Sequence, residues 1–109
     1  MEKDRRTAPR VRVKLPARWE GVLTHDIATI TDLSRNGCFV LTGGKVRDKE
    51  LIWVEIDLPH PPSIHFWAEV VEIADEIGFA VRFNSGSDED KDRLAKYIES
   101  IFESPGKPS

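Results

Sequence analysis

Between Val11 and Phe83 the chain is divided into short stretches of alternating polarity, each closed by turn-forming residues, and this constrains the fold more than any other feature. Val11, Val13 and Leu15 alternate with Arg12 and Lys14 until Pro16, which reads as an interruption because proline cannot donate to a strand ladder. "HDIATITDLS" is β-branched and alternating, and "GCFVLT" is a short apolar run closed by Gly43 and Gly44. "LIWVEIDL" ends at "HPPS", while "IHFWAEVVEI" and "GFAVRF" flank "ADEIG", where Gly78 suits a hairpin turn. About six strands at such short spacing predict a mostly β chain, an antiparallel barrel or sandwich. One helix follows. Ser87 is placed to cap it, Asp88, Glu89 and Asp90 load its first turn, and Leu94, Ile98, Ile101 and Phe102 are expected on one apolar face. Pro105 and Gly106 are expected to end it. That stripe must be buried against the sheet or against another subunit.

A length of 109 residues suits one domain with a modest core, and 39% hydrophobic with 32% charged residues is a globular balance. The expected organisation is a flexible basic arm over residues 1–10, one barrel-plus-helix unit over 11–103 and a loose tail over 104–109. The formal net charge is −3, which argues against a polymeric nucleic acid as the partner. The charge is uneven, however. Lys3, Arg5, Arg6, Arg10, Arg12, Lys14 and Arg18 crowd the start against only Glu2 and Asp4, so the remainder is strongly acidic. A basic arm on an acidic body points to a compact anionic ligand. Cys38 is the only cysteine, which excludes an intrachain disulfide and makes a reducing compartment the expectation. No apolar run approaches the roughly 20 residues of a membrane helix, so no membrane insertion is expected. The charged start lacks the apolar region of a signal peptide, and a cytoplasmic location is expected.

Two motifs carry chemistry. "RRTAPRVRVKLP" sets Arg6 and Arg10 in an R-x-x-x-R spacing, and "DLSRNG" sets Asp32, Ser34 and Gly37 in a D-x-S-x-x-G spacing. Alone, the first is a solvated charge run, and the second is a strand end entering an Asx or Ser turn with Gly37 left-handed. Together they suit a guanine nucleotide. An arginine fork matches guanine O6 and N7, and a carboxylate such as Asp32 can accept from the opposite base edge. Ser34 can bond a phosphate oxygen or a base edge, and Gly37 admits close backbone approach. Further guanidinium groups can pair with phosphate or stack on the base.

"RTAPR", then about twenty residues, then "DLSRNG" resembles the PilZ domain, as do "LPARW", "GFAVRF" and the closing helix. The resemblance implies a six-stranded antiparallel barrel with a C-terminal helix that binds cyclic di-GMP. It implies that Arg6 and Arg10 grip guanine edges and phosphates while Asp32, Ser34 and Gly37 line the barrel side. Arg5 beside the first motif arginine implies an intercalated pair of ligands. Arg35, Asn36 and Trp19 are accessory candidates. The chain is thus expected to be a non-enzymatic receptor that changes its arm on binding and signals to an effector protein. Two alternatives stand beside it. One is a PilZ-fold interaction module without a nucleotide; the other is a small barrel binding single-stranded nucleic acid, which predicts exposed aromatics on a strand face. No metal or catalytic role is expected. His25, His60 and His65 lack zinc-ligand spacing, and Cys38, Trp53 and Trp67 read as packing residues.

Overall fold

The computed structural model describes residues 9–103, so the start of the arm and the tail 104–109 with Pro105 and Gly106 lie outside it. Strands β1 (Val11–Glu20), β2 (His25–Leu33), β3 (Gly37–Leu41), β4 (Leu51–Ile56), β5 (Ile64–Ala74) and β6 (Gly78–Ser85) precede helix α1 (Asp88–Glu103). The strands close into an antiparallel barrel in the order β1-β2-β3-β6-β5-β4. Of the two expected architectures, the barrel is the one formed.

Period-two alternation decides which side chains fill the interior. Ile30, Val40, Ile52, Val54, Ile56, Ile64, Phe66, Val70 and Phe79 all point inward and are essentially fully buried. Each such side chain contributes about 1.5–3 kcal/mol of transfer free energy. Trp19 joins them, its ring edge-on to Phe79 with centroids 5.2 Å apart. Its indole N–H donates to Thr42 Oγ1 at 3.2 Å, so burial leaves no unpaired donor.

Pro16 does not end the first strand. Leu15, Ala17 and Trp19 keep the inward alternation on both sides of it. Its own carbonyl accepts from Asp57 N at 2.9 Å. Pairing of β1 with β4 begins only at Ala17, opposite Ile56, and a register shift lies between Arg12 and Leu15. The proline therefore occupies a place beside a bulge where little depends on its missing N–H.

The β5–β6 hairpin forms where expected, but Gly78 is not its turn residue. Ile77 N donates to Ala74 O at 3.0 Å and Glu76 takes the positive φ of 68°. Gly78 instead opens β6, where a Cβ would run into the carbonyl oxygen of Val40.

Ser87 caps α1, its hydroxyl accepting from Asp90 N at 3.0 Å. The buried stripe is Leu94, Tyr97, Ile98 and Ile101, packed against the barrel core. At 100° per residue that stripe is centred close to Leu94, and Phe102 lies about a quarter-turn away. Phe102 is accordingly 48% exposed, not part of the buried face as the sequence suggested. The barrel, not a second subunit, covers the stripe.

Candidate functional site

The outward cleft near the start of β1 is assembled by strand register. Arg12 stands opposite Asp32, Asp32 opposite Phe39, Phe39 opposite Ala80, and Ala80 opposite Glu72. These residues form one row across five strands on the outside of the barrel. The next row sets Gly37 opposite Arg82 and Arg82 opposite Glu69. Three register shifts surround this region: between Arg12 and Leu15, between Ile30 and Asp32, and between Val70 and Glu72. Bulges bend a strand and re-aim its side chains. In β2 the shift leaves Ile30 and Leu33 buried and turns Asp32 outward between them.

The resulting hollow has a volume of about 420 Å³ and is lined by Arg10, Asp32, Ser34, Asn36 and Gly37 together with Phe39, Glu72, Ala80 and Arg82. Of the residues expected to bind ligand, Arg10 and the whole second motif are brought to this one place. Arg5 and Arg6 lie outside the described residues.

Each motif residue has a local physical role. Ser34 is 8% exposed. Its hydroxyl accepts from Asn36 N at 3.1 Å and Gly37 N at 3.2 Å, and its own N–H donates to Gly37 O at 2.9 Å. Ser34 thus fastens the β2–β3 turn. Gly37 is not left-handed as expected: among the described glycines only Gly78 has positive φ. What requires glycine is close approach of strands, because a Cβ there would meet the carbonyl oxygen of Val81 on β6. The tightened turn also lets Phe83 N donate to Asn36 O at 2.7 Å, so the motif is tied to two strands.

The cleft carries opposed charges. Arg82 Nη2 lies 2.8 Å from Glu69 Oε1, whereas Arg12 Nε is 3.8 Å from Asp32 Oδ1, beyond hydrogen-bond reach and well exposed. Asp32 therefore keeps acceptor capacity for a donor edge from solvent. Sequence reasoning missed Arg82, Glu72 and Phe39 at this site. Their signal was present in the alternation of "GFAVRF" and "GCFVLT", but naming them needs the register between strands.

Accessory candidates divide. Asn36 lines the cleft, and Arg35 faces a neighbouring hollow with Phe83 and Lys91. Trp19, weighed as a border residue, sits in the core with only 2% exposure and does not line the cleft. Burial pushes the Cys38 thiol far above its ordinary range, which leaves it an inert core residue. Among the described residues no cluster of histidine, cysteine and carboxylate side chains is arranged to hold a metal ion. No described helix is long and apolar enough to cross a membrane.

Elsewhere on the outside, Arg18 donates to Glu55 Oε2 and Asp57 Oδ1, both at 2.8 Å. Hydrogen bonding from Arg18 holds both carboxyl groups below the usual carboxylate range.

A search of curated protein sequences returned no significant match. Solved structures show the same fold. The Bacillus subtilis inhibitor of motility, MotI/DgrA, superposes with a TM-score of 0.82 at 17% identity over 92% of this chain and 52% of that one. YcgR from Escherichia coli, solved in complex with c-di-GMP, gives 0.77 at 17% identity over 93% and 47%. PlzA from Borreliella burgdorferi, also in complex with c-di-GMP, gives 0.64 at 14% identity over 82% and 39%. The chain spans about half the length of the first two. The family model described as the PilZ domain matches residues 4–100, nearly the whole chain, and this protein belongs to that family.

Proposed function

We propose that this chain is a non-enzymatic receptor for cyclic di-GMP that passes the ligand state to a partner protein. The observation that carries the proposal is convergence: Arg10, Asp32 and the Ser34–Gly37 turn line one outward cleft. Arg10 precedes β1 directly, so Arg6 and Arg5 lie only a few residues along the same chain. Membership of the PilZ family and the c-di-GMP complexes of YcgR and PlzA support the same ligand.

In this reading Arg10 and Arg6 supply guanidinium forks to guanine edges and phosphates, and Asp32 accepts from the opposite edge of the base. Ser34 and Gly37 hold the adjoining turn, and Arg82 and Asn36 border the ligand. Arg5 adds a third guanidinium, which suits a second, intercalated ligand. Ordering the arm costs about 1–2 kcal/mol per residue. Several charge-assisted hydrogen bonds at about 1.5–3 kcal/mol each offset that cost. Binding then creates an ordered surface that a partner reads.

Isothermal titration with cyclic di-GMP, with GMP and cyclic di-AMP as controls, tests the reading. Selective binding supports it, and two ligands per chain support the role of Arg5. No binding, by heat and by a second method, would leave the PilZ fold acting as an interaction module. Single-strand nucleic-acid binding has one observation in its favour: Trp53 and Trp67 stand on an outward strand face. The carboxylates around them oppose a phosphate backbone, however, and favour a different occupant.

A further inference from the structure

The outer face of β1, β4 and β5 is as aromatic as the cleft is polar. Register places Glu20 opposite Trp53 and Trp53 opposite Trp67, with Arg18, Glu55 and His65 forming the adjacent row. The two indoles meet edge to face with centroids 5.2 Å apart, and the His65 ring stacks on Trp53 at 5.5 Å. Trp67 remains 43% exposed, and Ile27, beside Arg18 on β2, is 74% exposed. Trp53 forms the wall between two shallow hollows, one bounded by Glu20, Asp26, Ile27 and Glu55, the other by His65, Trp67 and Asp90. Four carboxylates thus line these hollows against a single guanidinium, Arg18, which donates to Glu55 and Asp57, while Asp26 accepts from Thr42 Oγ1 and Asp90 from His65 N.

A tryptophan pair inside an acidic rim, Trp67 exposed and Trp53 half-buried, is chemically selective. Paired indoles offer π-faces to a cation, and tryptophan is enriched among the residues that dominate interface energetics. The carboxylates repel nucleic-acid backbones and anionic lipid surfaces alike. A guanidinium satisfies both halves, because it stacks on an aromatic face while its N–H fork reaches a carboxylate. We propose that this face docks an arginine-bearing, partly apolar segment of a partner protein, with guanidinium groups over Trp67 and Trp53 and aliphatic side chains against Ile27. The site is separate from the cleft and does not depend on the identity of the nucleotide.

The experiment follows the three indole N–H signals of the full chain by NMR. The probe is a dodecapeptide of alternating arginine and leucine, compared with versions carrying lysine or glutamate in place of arginine. The arginine peptide is expected to shift the Trp53 and Trp67 signals saturably while buried Trp19 stays in place. The lysine peptide should bind more weakly and the glutamate peptide not at all. Trp67→Ala should weaken the arginine peptide at least about fivefold. Glu20→Lys should weaken it too, in a variant that keeps every aromatic ring. Four results would overturn the proposal: no indole shift with the arginine peptide, equal binding of the glutamate peptide, stronger shifts with a thymidine dodecamer, or shifts on concentrating the protein alone with a dimer mass. Titrating cyclic di-GMP into the same sample reads the cleft independently, so failure at either site is distinguishable from failure at the other.

Discussion

The cleft and the aromatic face share strands β1 and β5 of one barrel, yet they reach opposite surface chemistries by different structural means. At the aromatic face the β4–β5 ladder runs from Leu51 opposite Glu69 to Ile56 opposite Ile64 without a register shift. Across β4 and β5 large side chains therefore stand in a regular grid, with Trp53 and Trp67 directly opposed, and the register shift between Trp67 and Ala68 lies on the β6 side. At the cleft the ladders are interrupted on three strands, small residues such as Gly37 and Ala80 lower the surface, and charge lies along the margins. A regular ladder builds a flat adhesive surface, whereas a bulged one builds a hollow. On the two proposals above, the ligand cleft and the docking face of this barrel rest on differently built ladders.

The sharpest way to break this comparison is to restore bulk in the cleft. Gly37→Ala drives a methyl group toward the Val81 carbonyl, and the β3–β6 ladder must shift to admit it. A loss of about 3 kcal/mol in urea unfolding is expected, since overpacking costs on the order of 1–3 kcal/mol and this clash is with backbone. Unchanged stability would mean that the strands separate there without cost.

Next in size is Arg10→Ala. Removing charge-assisted hydrogen bonds to the ligand should weaken cyclic di-GMP about 10- to 150-fold in calorimetry, with the melting temperature unchanged because Arg10 is exposed. Parent-like affinity would remove Arg10 from the site. Ser34→Ala acts on the same turn differently. It strips an acceptor from the Asn36 and Gly37 N–H groups and should cost about 1–2 kcal/mol of stability, with a smaller effect on affinity. A large affinity loss with intact stability would instead place the hydroxyl on the ligand.

The smallest effect belongs to the aromatic face. Because Arg18 lowers the carboxyl groups of Glu55 and Asp57, the stability they contribute is present above the ordinary carboxylate values near pH 4. It is lost as pH falls through their lower folded-state values. Arg18→Ala should therefore flatten the acid limb of stability below about pH 4, with a difference under about 1 kcal/mol because the pair is solvent-screened. A variant whose acid limb matches the parent would show that the ion pair adds nothing.

Much of the architecture was legible from alternation alone, because inward and outward residues must differ wherever one face of a strand is wet. The second motif was visible as a unit, and its residues do meet at one cleft, Asp32 from the end of β2 and Ser34 to Gly37 from the turn. What eluded sequence reading depends on contacts between strands. Gly37 is selected by the backbone of β6, forty-odd residues away, so local turn logic assigned it a left-handed conformation that it does not have. Pro16 looked like a stop because its partners' register is invisible one strand at a time. The fate of Trp19 and Trp67 turned on parity: one indole fills the core and the other stands outside, though both occur in apolar strand patterns.

The β1–β4 seam that closes the barrel joins only Ala17–Glu20 to Trp53–Ile56. Pro16 still accepts from Asp57 N, just past β4, whereas Val11, Arg12 and Leu15 are paired to β2 but not to β4 among the described pairings. Such an edge is a template for adding a foreign strand, and the chain places Arg12 and Lys14 along it, both exposed. On the proposed reading these charges favour an anionic nucleotide, and lysine and arginine on a strand edge also disfavour edge-to-edge pairing. Neutralising Arg12 and Lys14 together should leave the folded barrel intact and shorten its lifetime as a monomer in concentrated solution.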